Sequence, residues 1–197
     1  NLPAVLTGYS DAELVRLLRF GVRRDGTTAL LMPAGTFYPL ADADLGRLLV
    51  FLRSLPPATG TVREAARDLT LKARLAIVLG MFPPSVAEVD RSRPRWGELP
   101  RTTPYERGRY WASITCSECH GLDLKGEAFE GSPPLSIVAA AYTQDQFRHL
   151  LRTGEPVSRR DLGIMSEVAR DAFVLFTDDE IADLYQFFRS EFGGRSE

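Results

Sequence analysis

The chain is poor in the residues that would build a disulfide or multi-ligand metal framework. Of 197 residues, two are cysteine and two are histidine. Both cysteines fall in Cys116-Ser117-Glu118-Cys119-His120, so no structural disulfide scaffold is available. Charge of one sign is also lacking: 24 Lys and Arg face 26 Asp and Glu, for a formal net charge of -2, with no block of like charge. A nucleic-acid partner needs a basic stripe, and there is none. Long apolar runs are missing too. The nearest, Leu69 to Phe82, is interrupted by Lys72 and Arg74, so no transmembrane segment is expected. The start of the chain carries no basic-then-apolar export signal, and the expectation is that such a signal and further upstream chain have been removed or lie elsewhere. What remains, 44% hydrophobic and 25% charged residues, describes a globular chain long enough for one or two domains.

An internal repeat organises that chain. Gly8-Tyr9-Ser10 with Leu14, Leu17, Leu18, Arg19 and Gly21 matches Ala141-Tyr142-Thr143 with Phe147, Leu150, Leu151, Arg152 and Gly154 at an offset of 133, and Met32 matches Met165 at the same offset. The second copy then gains three residues. Leu40, Asp42, Asp44, Leu45, Leu48, Phe51, Arg53 and Ser54 align with Phe176, Asp178, Glu180, Ile181, Leu184, Phe187, Arg189 and Ser190 at an offset of 136. Each copy reads as helix, methionine-bearing loop, helix. Ser10-x-x-Glu13 and Thr177-x-x-Glu180 have the capping-box pattern, and Ile181, Leu184, Tyr185 and Phe188 share one helix face that should be buried. A further helix is expected from Pro104 to about Ile114. Strand signals are weak, so the fold class expected is all-α.

Three segments follow from this pass. Residues 1–57 read as the C-terminal part of a first domain, 58–103 as a linker, and 104–197 as a complete domain. The linker is expected to hold an amphipathic helix over 61–82 and then an irregular Pro-rich strap with arginines at 91, 93, 95 and 101.

Cys-x-x-Cys-His is the attachment motif for a c-type haem. Two thiols about one helical turn apart suit addition to the two vinyl groups at one porphyrin edge, and the following imidazole projects to the iron. The imidazole must be neutral, with a second-shell acceptor on its other nitrogen; the carbonyl of Pro133 or Pro134 is the candidate. Half of a zinc site and a thioredoxin-like redox pair are the competing readings. Zinc wants four ligands, with His149 the only other histidine, and a thioredoxin-like pair belongs beside a βαβ pattern and has no use for His120. For a sixth iron ligand the candidate is Met165, 45 residues beyond His120 in a loop between expected helices, with His149 as competitor. A lone methionine is as readily core packing.

Residues 105–190 resemble a class I cytochrome c domain. The resemblance rests on Gly108-x-Tyr110-Trp111 in an opening helix, the haem motif, Gly121 and Gly126, Pro134-Leu135, Met165, and a closing helix with Leu184, Tyr185 and Phe188. It implies a covalent haem c at Cys116 and Cys119, axial ligation by His120 and Met165, a role for Pro134 at the haem, and first and last helices crossing at Gly108 against Tyr185 or Phe188. With its linker, the order of parts is similar to the diheme cytochromes c that pass electrons beside periplasmic dehydrogenases or oxidases. That implies electron transfer without a substrate, redox protein partners, and a periplasmic location or one on the periplasmic face of the membrane. The first copy has its methionine but no attachment motif, since the position matching Cys116 precedes Asn1. The expectation is a second haem attached upstream, with Met32 as its axial ligand; the alternative is a degenerate domain keeping Met32 as core. A haem enzyme with a displaceable sixth ligand, such as a peroxidase or a sulfur-compound oxidase, and a structural subunit of a redox complex stay open. Arg91, Arg93 and Arg95 are candidates for a docking rim, although charged linkers are more usually just solvated.

Overall fold

A computed structural model describes residues 2–30, 32–56, 70–81, 84–87, 89–127, 131–158 and 160–193. Among them the secondary structure is helical, with no strand; two isolated bridges, Val22 with Thr28 and Glu127 with Ser132, are the only extended pairings. The fold is all-α. The chain divides into two compact units, Asn1–Glu98 and Leu99–Glu197.

The first unit holds α1 (Leu2–Leu6), α2 (Asp11–Phe20), α3 (Ala34–Phe37), α4 (Asp42–Ser54) and α5 (Leu71–Val78). The second holds α6 (Pro104–Thr115), α7 (Ser117–His120), α8 (Ser136–Ala141), α9 (Gln144–Thr153), α10 (Ile164–Asp171) and α11 (Asp178–Phe192). Helix starts follow local chemistry. Ser10, Thr103, Thr143 and Thr177 each accept from the backbone N–H three residues on, while Glu13, Glu106, Gln146 and Glu180 reach back to the cap. Each such box satisfies two otherwise orphaned donors. Backbone N–H and hydroxyl donors of Thr103 and Thr102 hold the Glu106 carboxyl down to about 2. At the other ends of α2 and α9, Gly21 and Gly154 take the left-handed conformation, φ 64° and 75°, that closes a helix with little strain in a residue lacking Cβ.

The sequence repeat is also a repeat of contacts. Helix α2 matches α9 and α4 matches α11, each beginning at the aligned residue. In the first unit Arg19 donates to Asp42 Oδ1 at 2.6 Å, and its counterpart Arg152 donates to Asp178 Oδ1 at 2.8 Å. Arg53 donates to the Leu6 carbonyl at 2.5 Å; Arg189, its counterpart, donates to the Ala139 carbonyl at 2.6 Å. Leu6 and Ala139 stand at the 133 offset, so α1 and α8 are equivalent as well. In both units an arginine of α2 or its equivalent α9 clamps the start of α4 or its equivalent α11, and an arginine of α4 or α11 holds a carbonyl of α1 or α8.

The second unit closes around α6 and α11. Ile181, Leu184, Phe187 and Phe188 are buried with Ala112, Phe147, Leu151 and Phe173 in one core. The crossing at Gly108 differs in register from the expectation: a Cβ there would run into the Asp183 carbonyl and the Phe187 side chain. Phe187, not Tyr185 or Phe188, faces the glycine, because Asp183 and Phe187 are one turn apart on the α6 side of α11. Tyr185 instead packs on Phe147 and donates its hydroxyl to the Tyr142 carbonyl at 2.9 Å, and Phe188 meets Phe147 edge-on. Beside the crossing Arg107 grips Asp183 with two bonds, Nε to Oδ2 at 2.6 Å and Nη2 to Oδ1 at 2.8 Å.

The stretch between the copies departs from the linker picture. Residues 84–87 and 89–98 fold onto the first unit: Ser85 N–H donates to the Ala29 carbonyl, Gly97 N–H to the Pro39 carbonyl, and Arg95 to Asp42. Arg91 is exposed and lies 5.2 Å from the centre of the Phe20 ring, while Arg95 pairs with Asp42 and Glu98 within the unit. Of the helix expected over 61–82, residues 61–69 and Phe82 lie outside the described residues. Its described part, α5, buries no residue, and Leu71, Leu75, Val78 and Leu79 are exposed. No described helix is long and apolar enough to cross a membrane.

Replacing Gly108 with valine forces α6 and α11 apart, at a cost of about 2–3 kcal/mol or more in the stability of the second unit. Thermal or denaturant unfolding of the variant measures it; an unchanged midpoint would show that the close approach is not needed.

Candidate functional site

The candidate site is built where α6 runs out. Cys116 is the C-cap of α6, its N–H donating to the Ala112 carbonyl at 3.0 Å, and it is at once the N-cap of the single turn α7. His120 N–H donates to the Cys116 carbonyl at 2.9 Å, so both thiols and the imidazole belong to one continuous helical turn. Ser117 ties that turn back to α6 by donating to the Ser113 carbonyl at 2.7 Å. Neither cysteine is in a disulfide, and each is partly buried. Burial pushes the Cys116 thiol up to about 11, against a smaller downward pull from the Thr115 hydroxyl, which lies 3.6 Å from its Sγ. It is therefore protonated at neutral pH, a poor spontaneous nucleophile and a poor partner for adventitious disulfide exchange.

The following loop returns to hold the histidine. Gly126 N–H donates to the His120 carbonyl at 2.9 Å, Ser132 Oγ donates to the Cys119 carbonyl, and Leu135 N–H donates to the Leu124 carbonyl at 2.9 Å. These bonds bring the Pro133 carbonyl 2.8 Å from His120 Nδ1. A carbonyl only accepts, so Nδ1 carries a proton; of the two neutral tautomers this bond selects the one with its lone pair on Nε2, which a metal-ligating imidazole needs. His120 is 8% exposed, and Nδ1 alone of its ring nitrogens has a hydrogen-bond partner among the described residues. Of the two proline carbonyls weighed, it is Pro133 that meets the ring; the Pro134 carbonyl accepts from Ile137 N–H at the start of α8.

Met165 does not sit in a loop. It is the second residue of α10, a helix opened by Gly163 and pinned by Ser166, whose hydroxyl donates to the Gly154 carbonyl at 2.7 Å. The spacing of Met165, Val168 and Ala169 is helical and could have been read. Met165 is partly buried and packs against the same hydrophobic core as Cys116. The structure thus brings Cys116, Cys119, His120 and Met165 into the second unit, with Cys116 and Met165 packed against its core. Met32, in the first unit, is partly buried just ahead of Pro33 and α3, where its carbonyl accepts from Ala34 N–H at 2.8 Å. His149 points away from any such site: its side chain is 56% exposed and its Nε2 lies 3.2 Å from Glu155 Oε2. Among the described residues no cluster of three or more His, Cys, Asp or Glu side chains is assembled, as a structural zinc would require. Sequence reasoning did not find Ser132 or Thr115, and neither carries a pattern that announces it.

Compared with known proteins, the chain matches no family model and no curated protein.

In the unmodified polypeptide at pH 8, Cys116 should be alkylated by iodoacetamide roughly 100-fold more slowly than an ordinary exposed thiol, following the two-unit deficit in thiolate. Peptide mass spectrometry of a time course reads the rate site by site; equal labelling of Cys116 and a model thiol would show that burial does not protect it.

Proposed function

We propose that the second unit is a class I c-type cytochrome domain that transfers electrons one at a time. The single observation that carries this is the His120 Nδ1 to Pro133 carbonyl bond, which sets the ligating tautomer of a histidine directly after two cysteines on the same turn. The residues present fit a haem: the donor set is two thiols, a buried imidazole and a thioether, which matches covalent attachment with His and Met axial ligation. Cys116 and Cys119 would hold the porphyrin edge, each thiol adding across one vinyl group. His120 Nε2 would ligate the iron, with Pro133 keeping the ring from turning. Met165, carried on the rigid first turn of α10, would close the opposite face and exclude water and exogenous ligands. The bound haem supplies a one-electron iron centre, and the thioether favours its ferrous form. Nothing in this arrangement asks for a substrate; the role is a subunit or carrier between a periplasmic donor and a membrane or terminal acceptor, docking by small, partly polar contacts.

By the same repeat, Met32 is the counterpart of Met165 and would ligate a second haem whose attachment cysteines are not among residues 1–197. The matching arginine clamps in the two units support a shared fold for both methionine-bearing halves.

The protein purified after expression with a haem-attachment system should give the alkaline pyridine spectrum of haem c, and Cys116→Ala with Cys119→Ala should leave it colourless; colourless wild-type protein with free thiols ends the reading. Met165→Ala should abolish the far-red methionine-to-iron band of the oxidised protein, open the reduced protein to carbon monoxide, and lower the potential within the ~0.8 V that axial ligands span. A retained band would remove Met165 from the iron. For Met32, the haem-to-polypeptide ratio of the complete gene product should be two, and a ratio of one would defeat its assignment.

A further inference from the structure

Helix α5 holds its largest apolar side chains in solvent. Leu71, Leu75 and Val78 are 83%, 56% and 81% exposed, and Leu79 and Met81 continue that surface past the helix end at 63% and 74%. The arrangement is a stripe. At 3.6 residues per turn Leu71, Leu75 and Val78 fall within about 60° of one another around the axis, with Leu79 beside them. Ala73, Ala76 and Ile77 lie on the opposite side and are half-buried, so the stripe is the outward face. Both of its edges are cationic, Lys72 bordering it beside Leu79 and Arg74 beside Val78, and residues 70–81 contain no acid. Gly80, at φ 70°, ends the element, and Met81 N–H donates back to the Ala76 carbonyl at 2.8 Å. Charge is shared unevenly along the chain as well. Asn1–Glu98 carries 13 Lys and Arg against 10 Asp and Glu, whereas Leu99–Glu197 carries 11 against 16. The stripe thus belongs to the cationic unit.

We propose that α5 seats the first unit on a lipid bilayer containing anionic lipid, lying in the headgroup region with its stripe toward the acyl chains. The side chains select this occupant. An apolar stripe needs hydrocarbon, and cations on both edges, whose aliphatic stems lie along apolar surface while the charges stay in water, need anions at the rim of that hydrocarbon. An anionic bilayer offers both at the same depth. A second copy of the helix would bring Lys72 and Arg74 toward the same cations with no acid in 70–81 to answer them, so charge opposes self-pairing. A protein groove is recognised chiefly through aromatic or arginine anchors at the centre of a contact, and Leu71, Leu75 and Val78 stand there instead. The helix lies along the surface and does not cross it: its 8 residues rise about 12 Å, against roughly 30 Å of hydrocarbon. The inference uses no haem and is independent of the electron-transfer reading.

The test is flotation of the chain Asn1–Glu197 with phosphatidylcholine vesicles, with and without phosphatidylglycerol. The chain should rise with the anionic vesicles at a lipid concentration roughly tenfold or more below that needed with neutral ones, as two cations at an anionic surface imply. Leu75→Glu with Val78→Glu should abolish flotation at an unchanged melting temperature, since both side chains are already in water. Lys72→Gln should weaken binding to the anionic vesicles about fivefold, and Lys72→Arg should behave as the parent. In Leu75→Trp, brominated acyl chains should quench the new fluorophore. A chain that stays down with both vesicles overturns the proposal, as does flotation that survives the double glutamate change or a bound Leu75→Trp that is not quenched. So does a dimer that the double change dissociates, since a second copy then covers the stripe, or binding to polyglutamate in place of vesicles, which would assign it to an acidic protein surface. Flotation of a colourless protein would end the haem reading and keep this one; a haem protein that ignores vesicles would do the reverse.

Discussion

The second unit depends on one close crossing. Helices α6 and α11 meet where Gly108 lets one backbone lie against the carbonyl of Asp183, and Arg107 locks the contact with a two-point grip on the same aspartate. Cys116, Cys119 and His120 are positioned from that crossing. The end of α6 delivers Cys116, the turn that continues it delivers Cys119 and His120, and the buried side of α11 forms the wall against which Phe147, Phe173 and Ala169 pack. A fork of charge-assisted bonds beside an apolar crossing also sets register: sliding α11 by one residue would unpair Asp183 and drive a bulky side chain into the glycine notch.

Around this frame the site is rigid by hydrogen bonding more than by burial. Residues 121–127 and 131–135 contain little regular structure, yet their backbone and Ser132 return to the carbonyls of Cys119 and His120, and the Pro133 carbonyl selects the tautomer of the imidazole. Such an outer partner orients a ligating histidine and raises its basicity. The raised Cys116 thiol has a complementary consequence. A protonated, partly buried sulfur is a poor nucleophile and stays reduced.

The repeat means that the first unit can be read with the second as its internal control. Equivalent arginines make equivalent bonds, equivalent glycines end equivalent helices, and the departures then stand out: Arg47 for Asp183 and exposed Phe51 for buried Phe187. The strap that looked like a linker in the sequence belongs to this unit, held by Arg95 on Asp42 and by main-chain bonds to Ala29 and Pro39.

Local chemistry was legible in the chain itself. Capping boxes at Ser10 and Thr177, stop signals at Gly21 and Gly154, the repeat, and the grouping of Cys116, Cys119 and His120 are all statements about residues within a few positions of one another, and short-range hydrogen bonds and helical periodicity fix them. What required the tertiary structure was every choice among near-equivalent partners. Phe187 over Tyr185 or Phe188 at the Gly108 crossing, Pro133 over Pro134 at His120, and Arg95 on Asp42 instead of at a free rim depend on which faces distant segments turn to each other. Spacing along the chain limits such pairings, but only close packing and the need to satisfy buried polar groups select one of them.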